Sequence, residues 1–118
     1  MNLRVLGDDE DVLRLEVEGR VVQEDLDPER DPLGGLLGDR GYTRRVILNL
    51  ARAEYIDSSG LALALVWHKR FVEAGGKLVL HSTPTLVMDT IKILRMDRVL
   101  HLAKDESAAL ALARGHNA

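Results

Sequence analysis

The chain has 118 residues, 46% of them hydrophobic and 30% charged, with 16 Lys and Arg against 19 Asp and Glu for a formal charge of −3. A chain of this length suits one domain, 1–118, that buries roughly two thirds of the surface its unfolded form exposes. The absence of cysteine excludes a disulfide framework, a thiolate metal site and a thiol nucleophile.

No run approaches the ~20 apolar residues of a membrane span, and the opening MNLRVLGDDEDV lacks the apolar core of a signal peptide. The expectation is a cytoplasmic domain without a membrane partner. A pI near 5.8 and four aromatic residues, Tyr42, Tyr55, Trp67 and Phe71, supply neither the basic field nor the stacking rings of a nucleic-acid binder. The charge is unevenly spread: residues 1–40 sum to −7 and residues 41–118 to +4.

In chain order, Leu3 and Val5 suggest a first strand, Gly7-Asp8-Asp9-Glu10 a turn, and the near-alternating Asp11–Val17 (DVLRLEV) a half-buried strand ended by Gly19. Residues 23–40, broken by Pro28, Pro32, Gly34 and Gly35, predict a loop and then a short, weak helix carrying Leu33, Leu36 and Leu37. Val46–Leu50 (VILNL) is a continuous apolar run suited to a strand buried on both faces. A short connection then leads to Tyr55-Ile56-Asp57.

The strongest helix is predicted over Gly60–Ala74, with Leu61, Leu65, His68 and Val72 on one stripe, Trp67 and Phe71 packing in the core, and Gly75-Gly76 as its stop. It is apolar nearly all round in its first half, which implies deep burial or a docking surface. Lys77–His81 is the next strand. Ser82-Thr83-Pro84 predicts a hydroxyl cap before a proline-started helix whose buried face is Val87, Ile91 and Leu94. Val99–Leu102 is a short strand, and Asp105 caps a final helix through Ala113, with Ala109 and Leu112 inward. Alternation of strand and helix from residue 46 predicts an α/β fold with a mixed, largely parallel sheet of about five strands.

Chemistry concentrates in Val46–Leu65, VILNLARAEYIDSSGLALAL. Asp57 or Ser58 falls at the helix N-cap, where unpaired amides carry about half a positive charge, and Gly60 admits the close approach of another backbone. One reading is that Asp57, Ser58 and Ser59 merely cap the helix. The other is a modified serine, since a phosphoserine adds about −1.5 to −2 charges and three acceptor oxygens. Enzymatic alternatives lack their patterns. His68, His81, His101 and His116 show no ligand spacing, the serines lack a Gly-x-Ser-x-Gly elbow, and no phosphate-binding loop is present. No catalytic residue, metal site or cofactor is expected.

The run NLARAEYIDSSGLALAL, followed by Gly75-Gly76-Lys77-Leu78-Val79-Leu80, Pro84 and the Val87/Ile91/Leu94 helix, resembles the STAS domains of sulfate transporters and anti-sigma-factor antagonists over residues 10–113. The resemblance implies a sandwich with helices packed mainly on one face of the sheet. For the antagonist type it implies no enzyme, but a module that binds an anti-sigma factor with serine kinase activity and is released when phosphorylated. Carried onto this chain, Ser58 is the phosphoacceptor, and Asp57, Ser59, Gly60 and Leu61 form the surrounding loop and partner contact. The sequence departs from the pattern at Gly19-Arg20-Val21-Val22, in the broken 28–38 stretch, at Ala62, and at Met96-Asp97. Two alternatives follow: a STAS scaffold or small-ligand sensor subunit that works without phosphate, and an acyl-carrier-like protein, against which the strands VILNL and KLVLH weigh.

Overall fold

The computed structural model describes residues 1–21 and 31–115. Their backbone builds one five-stranded sheet with strands side by side in chain order: β1 (Asn2–Asp8), β2 (Val12–Val21), β3 (Arg45–Ile56), β4 (Lys77–His81) and β5 (His101–Ala103). β1 pairs antiparallel with β2, and every later neighbour is parallel. The mixed, mostly parallel α/β sheet is therefore the expected one. Its helices are α1 (Gly34–Leu37), α2 (Ser58–Ala74), α3 (Thr85–Ile93) and α4 (Glu106–Ala113), with 3-10 turns over Gly38–Thr43 and Met96–Arg98.

The two faces of the sheet are covered differently. Leu13, Leu15 and Val17 of β2, Val46 and Leu48 of β3, and Leu78 and Leu80 of β4 join Leu63, Trp67 and Phe71 of α2 and Leu33 and Leu37 near α1 in the main core. α3 lies on that same side, its Val87 and Ile91 closing on Leu61 of α2. On the opposite face, Val12, Ile47 and Val79 meet Ala109 and Ala113 of α4. The run VILNL is apolar without alternation because successive residues feed both layers.

Several sequence-based boundaries need correction. Gly7 and Asp8 belong to β1, and the chain turns at Asp9–Asp11 through Asp9 N–H to the Val12 carbonyl, 3.0 Å, with Glu10 at φ 64°. Gly19 does not end β2. It sits at φ 87° beside a register shift, so glycine lets the strand kink and continue to Val21. β3 likewise does not stop at Leu50 but runs to Ile56, pairing with β2 alone after Asn49. Two extra residues accumulate on β3 across the shifts, and the Asn49 side chain accepts from Ala51 N–H at 2.8 Å. The bulges place Leu50 and Ala53 inward at a spacing of three, which hides the period of two that marks a strand.

On α2 the buried stripe is rotated from the predicted one: Val72 is 59% exposed while Leu63, Trp67 and Phe71 face the sheet. Leu61 and His68 are also buried, one toward α3 and the other beside His101. No hydroxyl caps α3. Pro84 stands at its N-cap, Ser82 adopts φ 57°, and its Oγ lies 2.8 Å from His81 Nδ1 instead. Leu94 is 47% exposed because α3 ends at Ile93 and Arg95 turns the chain at φ 59°. The last strand lies two residues later than expected, at His101–Ala103, and Leu100 enters the core. Asp105 caps α4 as expected, accepting from Ala108 N–H at 2.9 Å, but Ala113 rather than Leu112 is the fully buried partner of Ala109. Of the predicted loop and weak helix at 23–40, residues 23–30 lie outside the described residues, as does His116. The remainder forms α1 and the 3-10 turn.

A polar clamp fixes that weak segment to α2. The Tyr42 hydroxyl lies 2.7 and 2.8 Å from the two Asp31 carboxylate oxygens, Arg70 pairs with Asp31 at 3.1 Å, and the Tyr42 ring meets Phe71 edge-on at 4.9 Å. Burial, together with the Asp31 carboxylate, pushes the Tyr42 phenol up to about 12. The protonated phenol is thus favoured by folding, so this contribution to stability is complete below about pH 10 and drains as pH rises toward 12. In a Tyr55→Phe background, the ultraviolet absorbance titration of the remaining tyrosine should have its midpoint near 12; a midpoint near 10 would show that the clamp does not hold the phenol in solution.

Candidate functional site

The C-terminal ends of β2 and β3 and the first turn of α2 converge on one corner. Val21 is the register partner of Ile56, and one residue on, Asp57 leaves the strand in an extended conformation (φ −89°, ψ −176°) to become the N-cap of α2. Its Oδ1 accepts from Gly60 N–H at 2.8 Å, and its carbonyl accepts from Leu61 N–H at 3.0 Å. The cap reaches over the first turn without using either serine. Of the two cap residues the sequence left open, Asp57 is the one used.

Gly60 is the reason this corner closes. A Cβ built there would collide with the Val21 carbonyl oxygen and lie 2.9 Å from Ile56 Cγ2 and 3.0 Å from Val21 Cγ1. The expected close approach of another backbone is therefore made by the end of β2. Leu61, next in line, is buried against Val87 and Ile91. With both residues fixed, the helix start cannot rotate about its axis.

Ser58 is exposed and Ser59 half-buried, and neither hydroxyl makes a hydrogen bond among the described residues. The first turn carries no acidic side chain, so the partial positive charge of the helix end is met by the Asp57 cap alone. From Ser58 an outward stripe continues through Ala62 and Val66, both exposed, at the i, i+4, i+8 spacing of one helix face. At the strand ends that lead into the turn, the Arg20 guanidinium lies 5.2 Å from the centre of the Tyr55 ring, which is 48% exposed. The structure therefore brings Asp57, Ser58, Ser59, Gly60 and Leu61 together, with Ser58 outward, Ser59 half-buried, and Gly60 and Leu61 inward.

Sequence reasoning missed Val21 and Arg20 as parts of this corner and read Tyr55 as the end of a connection, not of a strand, because it ended β2 at Gly19 and β3 at Leu50. The signal was present in the paired spacing of Gly19-Arg20-Val21 and Ala53-Glu54-Tyr55-Ile56 but was masked by the bulges. Among the described residues no three His, Cys, Asp or Glu side chains are placed to hold a metal ion, and no helix is long and apolar enough to cross a membrane.

The fit at Gly60 is directly testable. Gly60→Ala should lower stability by about 1–3 kcal/mol, as overpacked sites do. Gly35→Ala, where a Cβ meets nothing within 4 Å, should leave stability unchanged or raise it by up to about 1 kcal/mol. Urea unfolding of both variants checks this, and equal effects would contradict the packing.

Comparison with known proteins agrees with this fold. The sequence pattern of the STAS domain matches residues 9–109. The fold is similar to that of the Thermotoga maritima protein TM1081, at 21% identity over 96% of this chain and 93% of that one, with a TM-score of 0.78. It is also similar to an anti-sigma factor antagonist from Mycobacterium paratuberculosis, at 17% identity, 96% and 95% coverage and a TM-score of 0.75. The anti-sigma factor antagonist SpoIIAA in its unphosphorylated form matches at 16% identity, 97% and 99% coverage and a TM-score of 0.67. A search of curated proteins gives no significant match. At such identities the structural likeness speaks for the fold, and the family rests on the sequence pattern, which spans most of the chain: this protein belongs to the STAS domain family.

Proposed function

We propose that the protein is a phosphorylation-switched interaction module of the anti-sigma-factor-antagonist type, without catalysis of its own. Unmodified, it docks on an anti-sigma factor that is also a serine kinase; phosphorylation of Ser58 releases it. The observation that carries this reading is the division of labour at the helix start. Ser58 projects from a rigid, fully anchored turn, while the residues that anchor the turn face inward.

The physical case has three parts. A kinase needs an acceptor hydroxyl it can reach, and Ser58 is exposed with an uncommitted hydroxyl. The modification must leave the fold intact, and a phosphate at a helix N-terminus is tolerated because it meets unpaired amides and the positive end of the dipole. It must also change docking. Around Ser58 the surface offers Ala62 and Val66 on α2, while on the neighbouring α3 Leu86 and Ile93 are 81% and 78% exposed. A partner seated on this apolar ground would have to desolvate the new charge.

Incubation with a cognate kinase and mass spectrometry should place phosphate on Ser58. Affinity for that partner, measured by calorimetry, should fall about 100-fold or more on phosphorylation or in Ser58→Asp, which needs only about 2.7 kcal/mol. Ser58→Ala should bind within a few-fold of the unmodified chain. Phosphate found elsewhere with Ser58 untouched, or equal affinity of Ser58→Ala and Ser58→Asp, would contradict the reading. The second outcome would favour a scaffold that works without phosphate.

A further inference from the structure

Ten residues along α2 from Ser58, two imidazoles meet across a seam between helix and sheet. His68 of α2 is buried at 9% exposure, His101 opens β5, and their ring centres lie 5.2 Å apart at an interplanar angle of 55°. β5 is a three-residue edge strand that pairs with β4 on one side only and packs against α4, and the two rings are its side-chain contact with α2. We propose that this pair is an acid-sensitive latch: neutral imidazoles in tilted contact help hold β5 against α2, and protonation drives the two rings apart and loosens the seam.

Burial and the charge of Lys77 favour the neutral state. On α2, Lys69 and Glu73 flank His68 in a shallow groove shared with Val72 and Val99, and Glu73 is exposed to solvent. From β4, Lys77 acts on His101 with its positive charge, while its Nζ donates to the Leu112 carbonyl of α4 at 3.0 Å. Burial lowers the affinity of His68 for a proton; burial, Lys77 and His68 itself lower that of His101. No carboxylate raises either one. His81 differs, since Asp105 and Glu106 pull its proton affinity upward against the dominant effect of burial. Its Nδ1 also lies 2.8 Å from Ser82 Oγ, outside the His68–His101 contact.

The sign follows from linkage. Groups that bind protons less tightly when folded than when unfolded give stability that is complete above about pH 6.5 and is lost as pH falls through their folded values. A second proton on the pair would set like charges about 5 Å apart with little solvent between them. Ser58 lies ten residues away on the same helix, roughly 15 Å along its axis, and the latch does not depend on whether Ser58 is modified.

The test uses the full chain. Imidazole resonances followed by nuclear magnetic resonance should show His68 and His101 titrating below 6.5. His68→Gln should move the midpoint of His101 upward by half a unit or more. In urea unfolding, the equilibrium constant for folding should fall between pH 7.5 and pH 5.5 at least threefold more in the natural chain than in His68→Gln, with His81 contributing equally to both. Should His68→Gln fail to fold, His101→Gln interrogates the same pair from its less buried member, and the titration of the natural chain stands without any variant. Two midpoints near 6.5 that ignore each other, or pH profiles of variant and natural chain that run parallel, would overturn the latch.

Discussion

The contact between Gly60 and the end of β2 sets where everything else at the candidate site must lie. Because the helix backbone approaches the Val21 carbonyl without an intervening side chain, α2 starts hard against the sheet. Asp57 is then placed to cap the first turn, and Leu61 falls into the space between α2 and α3. Ser58, one residue beyond the cap, has nowhere to point but outward. A bulkier residue at 60 would lift the helix start, and cap, packing and serine would lose their common reference.

On the proposed reading, that arrangement separates stability from signalling. α2 is held by the main core through Leu63, Trp67 and Phe71, by α3 through Leu61, and by the Asp31–Tyr42–Arg70 clamp near its far end. None of these contacts involves the hydroxyl of Ser58. On the proposed reading, a phosphate there alters the charge and hydration of a surface and leaves the packing beneath it alone. The seam of His68 and His101 sits ten residues further along the helix, where α2 meets a short edge strand, so two places on one rigid element would answer to different chemical inputs.

Much of this was legible in the sequence, and the parts that were not have identifiable causes. The strands VILNL and KLVLH, the helix start at Asp57-Ser58, the cap at Asp105 and the mixed sheet followed from apolar pattern and capping chemistry. Residues 51–56 escaped because bulges on β3 replace a period of two by a spacing of three and expose Arg52, Glu54 and Tyr55 between inward positions. The phase of α2 escaped because the helix is buried on two sides, against the sheet and against α3, and a single-stripe reading averages the two. Ser82 and Thr83 looked like caps, but a positive φ at Ser82 turns its hydroxyl toward His81. The candidate loop itself was visible as Asp57-Ser58-Ser59-Gly60-Leu61; its partner at the end of β2 was not, since that contact joins residues nearly forty positions apart and is made by a carbonyl oxygen, which carries no sequence signal.

The most direct test of the central claim is to compare backbone amide spectra of the unmodified chain and the same chain phosphorylated at Ser58. If the helix start is a rigid platform pinned by Gly60, resonance changes should be confined to Asp57–Ala62 and the neighbouring Arg20, Val21 and Tyr55, with the core residues of β3, β4 and α4 unmoved. Changes spread through the main core, or a loss of dispersion across the spectrum, would mean that phosphate acts by disturbing the fold and would contradict the account.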